Sequence, residues 1–161
     1  MKKGFTLIEL LVTIGVLAVV AAGVIAAIDP LDKMKQGRDA KVQSDISSVA
    51  TALNTYAASN GTFPVAANWA ALGTAMTTEL SAMPVANTGA GYTYGGVTSA
   101  TDAVVYGNLL SKKYTGTSTS KCPAVAAWWM WTKTSSGGSG DACGYCAAAA
   151  PTSASACTFT P

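Results

Sequence analysis

The run from Phe5 to Ile28 limits this chain more than any other feature. It is 24 residues long and carries one charge, Glu9. As a helix it is about 36 Å long. The hydrocarbon core of a bilayer is about 30 Å thick, so the run is long enough to cross it. A helix that is apolar on every side has no place on the surface of a soluble domain; it needs lipid or other apolar helices around it. Lys2 and Lys3 precede it, and positive charge favours the cytoplasmic side, so the remainder of the chain is expected outside.

Three readings of this segment compete. A secretory signal peptide has a basic start, an apolar stretch and a small-residue cut site, for which Ala21-Ala22-Gly23 would serve. The carboxylate inside the stretch and the apolar run beyond the cut argue against it. A plain anchor leaves Glu9 without a purpose, although a charge at mid-bilayer costs roughly 2.5–3.5 kcal/mol and somewhat less near the end of a span. The third reading supposes a cut between Gly4 and Phe5. The new Phe5 amine is then cationic and lies one helical turn from Glu9, on the same face. The pair can form within one chain, or between parallel helices offset along their axes. A buried carboxylate needs such a partner. Glu9 then sets the register of an assembly.

The stretch "KKGFTLIELLV" resembles the class III signal of type IV pilins and type II secretion pseudopilins. Lys2, Lys3, Gly4, Phe5, Thr6, Leu7, Ile8 and Glu9 match that motif without a gap. The resemblance implies cleavage after Gly4 by a prepilin peptidase, N-methylation of the Phe5 amine, and a role for Glu9 in filament assembly. A second stretch, "DAKVQSDISSVATALNTYAASNGTFP", is similar to the pilin segment after the anchor, with Tyr56, Gly61, Phe63 and Pro64 in the corresponding places. The likeness covers residues 1–64.

Asp29-Pro30 interrupts the helical pattern. Proline there can end a helix, kink it, or open a new one as its first residue. The resemblance implies a stretch near Pro30 that can melt in a filament. Beyond it, Val42, Ile46, Val49, Leu53 and Tyr56 recur at helical spacing and form one apolar stripe. The other faces carry Lys33, Lys35, Arg38, Asp39, Lys41, Gln43 and Asp45, and Asn60-Gly61 is a stop signal. The pattern predicts one long helix from Phe5 to about Ser59, open to a break at Pro30.

In the remainder, Asn68 to Met83 reads as one or two short helices interrupted at Gly73 and ended by Pro84. Gly89–Gly96 reads as the start of a strand. Ala103–Tyr106, Val125–Thr134 and Cys157–Thr160 read as strands, and Ser135–Asp141 as a turn. Trp129 and Trp131 share one strand face, Trp128 and Met130 the other. One face is expected in the core, the other against a loop or a neighbouring subunit. The fold class is α+β: a long N-terminal helix against a small antiparallel sheet, with a disulfide-bounded C-terminal region.

The cysteines are Cys122, Cys143, Cys146 and Cys157. Cys143-Gly-Tyr-Cys146 is a C-x-x-C, which in the cytosol suggests redox chemistry or zinc. An exported head makes disulfides the default. Four cysteines allow three pairings. If Ser135–Asp141 is the turn of an excursion with Cys122 and Cys157 at its open ends, Cys122–Cys157 with Cys143–Cys146 is favoured. In pilins a disulfide commonly bounds the C-terminal region, and residues 122–157 resemble that region.

Composition narrows the function classes. There is no histidine, the commonest general base and metal ligand. The net charge of +2 gives no reason to expect nucleic acid as a partner. Acidic residues after Glu79 are only Asp102 and Asp141, whereas calcium wants about six or more oxygen ligands. The resemblance implies that major pseudopilins carry such a calcium site near the C-terminus, so this composition leans toward a pilus. No cofactor or metal is expected, and no catalytic constellation is visible. A membrane-anchored thiol enzyme is the remote alternative. The domains expected are a cleaved leader (1–4), a membrane and filament-core helix (5–29), an amphipathic helix (30–60) and a head (61–161). The partners implied are copies of the same chain, prepilin peptidase, inner-membrane assembly machinery and lipid. The precursor is expected in the inner membrane, and the assembled subunit in an extracellular pilus.

Overall fold

The computed structural model describes residues 4–134 and 140–160. The chain separates into two compact units, Met1–Lys33 and Met34–Pro161.

The first unit is built on α1, Leu7–Ala27. Its leucine, isoleucine and valine side chains stand exposed on every side from Leu7 to Ile25. At 21 residues it is about 32 Å long, close to a bilayer core. Thr13, a polar residue within it, turns its hydroxyl back onto the Leu10 carbonyl at 2.8 Å, so no hydroxyl is left for lipid to solvate.

The break left open at Pro30 is present, and the run is two helices. Ile28 closes α1, and α2 runs from Pro30 to Asn60. Pro30 is the first residue of α2, where its missing N–H costs nothing. Asp29 caps the new helix: its carboxylate accepts from the Asp32 amide at 3.2 Å and its carbonyl from the Lys33 amide.

In the second unit, Val42, Ile46, Val49 and Leu53 are buried as the stripe predicted. Tyr56 is only half-buried, and Ala50 and Ala52 widen the buried face instead. The stripe packs on one sheet of four antiparallel strands in sequence order: β1 (Tyr94–Thr98), β2 (Ala103–Leu109), β3 (Ala127–Lys133) and β4 (Ala142–Cys146). Directly paired residues share a face, so Val105 with Trp131, Gly107 with Trp129 and Leu109 with Ala127 form the floor of the core. Gly107 is what lets α2 come close. A Cβ there would lie 2.6 Å from Val42 and 2.8 Å from the Tyr94 ring. On the opposite face Tyr106 lies across Gly95 and meets Trp128 edge-on, and the Trp128 indole donates to the Ala147 carbonyl. Trp129 and Trp131 are thus core, and Trp128 packs toward a loop.

Several local expectations change. The helix α3 (Trp69–Ala75) runs through Gly73 without interruption. The glycine is there because Met83 packs on it: a Cβ would sit 2.6 Å from Met83 Cγ. The strand expected over Gly89–Gly96 starts later, at Tyr94, after a 3-10 turn at Thr88–Ala90. Cys157–Thr160 forms only a single bridge, Phe159 to Gly144, and the strand on which it rests, β4, was not foreseen. The turn expected at Ser135–Asp141 falls mostly on residues 135–139, outside the described residues.

The favoured disulfide pairing is wrong. The bridges are Cys122–Cys146 and Cys143–Cys157, with Cα separations of 5.4 and 5.6 Å. The reason is that the C-x-x-C lies in β4. Three residues of extended strand span about 10 Å, beyond the roughly 7 Å that a disulfide tolerates. Residues an odd number apart also point to opposite faces. Cys146 therefore faces the core side, where Cys122 is buried, and Cys143 faces the other, where Cys157 reaches it.

Candidate functional site

The N-terminal segment holds the residues singled out for processing and assembly. Lys2 and Lys3 lie outside the described residues. Gly4, Phe5 and Thr6 precede the helix without regular structure. Thr6 is extended, with φ −82° and ψ 149°. Nothing lies within 4 Å of where a Gly4 Cβ would be, and Phe5 is 79% exposed. The Gly4–Phe5 bond is thus an open, non-helical peptide bond directly ahead of a helix. In the intact chain the Phe5 nitrogen is an uncharged amide; only cleavage makes it an amine.

Thr6 is the N-cap of α1, its hydroxyl oxygen accepting from the Glu9 amide at 3.3 Å. The same hydroxyl reaches the Glu9 carboxylate at 3.5 Å. Thr-x-x-Glu before an apolar run is the pattern of a capping box. Glu9 also sits in the first turn, where the partial positive charge of the helix end favours an anion. Beside the pairing expected between Glu9 and an amine, Thr6 and Glu9 three residues apart are the sequence signal of this local role. The two roles are compatible: capping holds the carboxylate at the helix start, where a Phe5 amine would be released.

Asp39 is the head residue that the pattern misplaced. Expected on a polar face of α2, it is 1% exposed. It lies three residues before Val42, on the buried stripe. Its carboxylate accepts from Tyr92 Oη at 2.8 Å and from the Leu110 and Ser111 amides at 3.0 Å each. Nearby, Gln43 Nε2 donates to Tyr114 Oη at 2.8 Å. Asp45 pairs with Lys41 and accepts from Tyr94 Oη at 2.6 Å. Burial, and then the Asp45 carboxylate, raise the Tyr94 phenol well above its usual range. These polar contacts fix the register of α2 on the sheet. All four cysteines are paired.

A protein-family model, the prokaryotic N-terminal methylation motif, matches residues 1–25. No curated protein and no solved structure matches the chain. Proteins with this motif are structural, are processed by prepilin peptidase and assemble into filaments; an exposed apolar α1 fits a membrane-anchored precursor of that kind. Residues 1–25 thus carry the N-terminal methylation motif, and with the long apolar helix and a disulfide-bearing α+β head the architecture is pilin-like.

Proposed function

We propose that this protein is a structural subunit of an extracellular type IV pilus, without enzymatic activity. Residues 1–4 are the leader. Cleavage after Gly4 and methylation of Phe5 give the mature end, and α1 moves from the bilayer into the core of a filament beside copies of itself and the assembly machinery. The observation that carries this reading is the open Gly4–Phe5 bond set directly before a capped helix whose apolar side chains nothing in its own unit covers. Lipid and a bundle of like helices both provide that cover. In the bundle, Glu9 meets the Phe5 amine.

Two features favour a pilus over a type II secretion pseudopilin. The head has few acidic residues from which to build a calcium site, and it relies on two disulfides. Filaments sheared from the cell surface decide between them. As a pilus subunit, this chain is their main protein and they vanish when its gene is deleted. Retention of the chain in the membrane fraction, with intact filaments and failed protein secretion in the deletion strain, favours the pseudopilin instead.

A further inference from the structure

β4 is the last strand of the sheet, and its free edge is covered by the chain's own C-terminal segment. The Gly144 amide donates to the Phe159 carbonyl at 2.8 Å, and the Thr158 and Phe159 amides donate to the Gly144 carbonyl at 2.8 and 3.1 Å. The Cys146 amide donates to the Thr158 hydroxyl. The Phe159 ring fills the space over Gly144, where a Cβ would lie 2.1 Å from it. On its other side the ring stacks on the buried Tyr114 at 5.7 Å. This is how a peptide adds to a sheet edge: main-chain bonds supply affinity and a side-chain notch supplies selectivity.

The connection to the cover is pinned at two places and exposed over most of the rest: the Ala147 amide donates to the Ala126 carbonyl, the Ala147 carbonyl accepts from the Trp128 indole, and Pro151 is buried. Residues 147–156 between β4 and the edge contact are Ala, Pro, Ser and Thr only, and most are exposed. At the edge itself the backbone bonds, the Thr158 hydroxyl, the Phe159 ring and the Cys143–Cys157 bridge hold the segment in place. The ten connecting residues reach about 33 Å when extended.

We propose that the β4 edge is a docking site for an extended C-terminal segment, and that its second occupant is the same segment of another copy of this chain, locked there by a Cys143–Cys157 disulfide between copies. The contacts are identical whichever chain supplies the segment, so the choice is one of loop closure against local concentration. A short flexible connection corresponds to an effective concentration on the order of millimolar. Dilute chains therefore close on themselves, and crowded chains exchange. The inference goes beyond the filament reading and does not depend on it, since any crowding of heads suffices.

The chemistry is thiol–disulfide exchange. A dithiol gives two electrons and two protons to the Cys143–Cys157 bond, which becomes two thiols while the dithiol closes to a cyclic disulfide. A small-molecule disulfide then takes two electrons and two protons from Cys143 of one copy and Cys157 of the other, and leaves as two small thiols.

The test uses the full-length chain in detergent, with equal amounts of heavy- and light-isotope protein. In one arm Cys122→Ser and Cys146→Ser leave a single pair of cysteines; in the other the parent chain is used. Both are reduced with dithiothreitol, mixed at about millimolar concentration and re-oxidised with glutathione disulfide. Mass spectrometry then counts the heavy–light links. Chance collisions make Cys143–Cys157 links about as frequent as the two symmetric kinds, Cys143–Cys143 and Cys157–Cys157, together. The proposal expects them to exceed the symmetric kinds by about tenfold or more, and expects Phe159→Ala to bring the ratio back toward about one. Heavy–light links at the chance ratio in both arms, no such links at all, or selectivity unchanged by Phe159→Ala would overturn it.

Discussion

Asp39 shows how one polar residue fixes a helix on a sheet. Its carboxylate serves a tyrosine hydroxyl and two amides of the loop after β2, so α2 can dock in one register only. Removing it strands the Leu110 and Ser111 amides, each at about 1–3 kcal/mol, while the Tyr92 hydroxyl keeps the Lys35 carbonyl at 3.1 Å. Asp39→Ala is therefore expected to cost about 3 kcal/mol or more, and Tyr92→Phe about 1 kcal/mol. Urea unfolding followed by tryptophan fluorescence checks both, and equal midpoints for parent and Asp39→Ala would contradict the clamp. Tyr94 makes stability depend on pH. Its phenol ionises less readily when folded than an ordinary tyrosine, with its value of about 10.0. Below that pH both states hold the proton and the contribution is complete. Above it the unfolded chain gives up its proton first, so stability falls as pH rises. The parent should lose stability above about pH 10, and Tyr94→Phe should flatten that fall; the same slope in both would remove Tyr94 as the cause. Glu9 carries the assembly claim. Glu9→Gln keeps the shape and removes the charge that a Phe5 amine needs in an apolar core. The membrane level of the subunit should hold while sheared-filament yield drops about tenfold or more. Full yield would end the pairing mechanism.

At the scale of elements, what was legible followed from periodicity. The apolar run and the stripe from Val42 to Leu53 marked the helices, because burial imposes a period on the side chains that do the packing, and the short tryptophan-rich run within Val125–Thr134 marked β3. What was missed obeyed other constraints. Asp39 sits on the apolar stripe because its neighbours are donors, which hydropathy cannot register. Gly73 looked like a helix breaker because Met83, its reason for being small, is ten positions away. β4 was hidden because Cys143-Gly-Tyr-Cys146 drew attention to sulfur chemistry, and Gly144 lowered its strand character. Once the strand is recognised, the odd spacing of its cysteines excludes the pairing of Cys143 with Cys146. The N-terminal motif was legible without any fold, since it fixes residue types in consecutive positions, and the Thr6 and Glu9 spacing within it also encodes the helix cap. Two tests belong here. Gly107→Ala places a methyl against Val42 and should cost about 1–3 kcal/mol by pushing α2 off the sheet. Replacing Cys143 and Cys157 by Ser should cost about 2–4 kcal/mol and raise amide exchange at Gly144 and Phe159. Exchange in α2 should stay as in the parent; a rise there of the same size would mean that the bridge supports the whole head.

The two units of the molecule answer to different surroundings. The head has its own core, built from α2, α3 and the sheet, and its own disulfides. α1 presents apolar side chains that nothing in its own unit covers. Its stability is set by whatever surrounds it, first lipid and then, on our reading, other copies of itself. On the proposed reading that transfer requires the leader to be removed, because the charge proposed to meet Glu9 exists only on a free Phe5 amine. The most direct test is therefore the intact mass and N-terminal sequence of the mature protein recovered from sheared surface material. The account predicts a chain that begins at Phe5 and carries a methyl group on its amine. A chain that begins at Gly23 or beyond, or one that keeps residues 1–4, would contradict it.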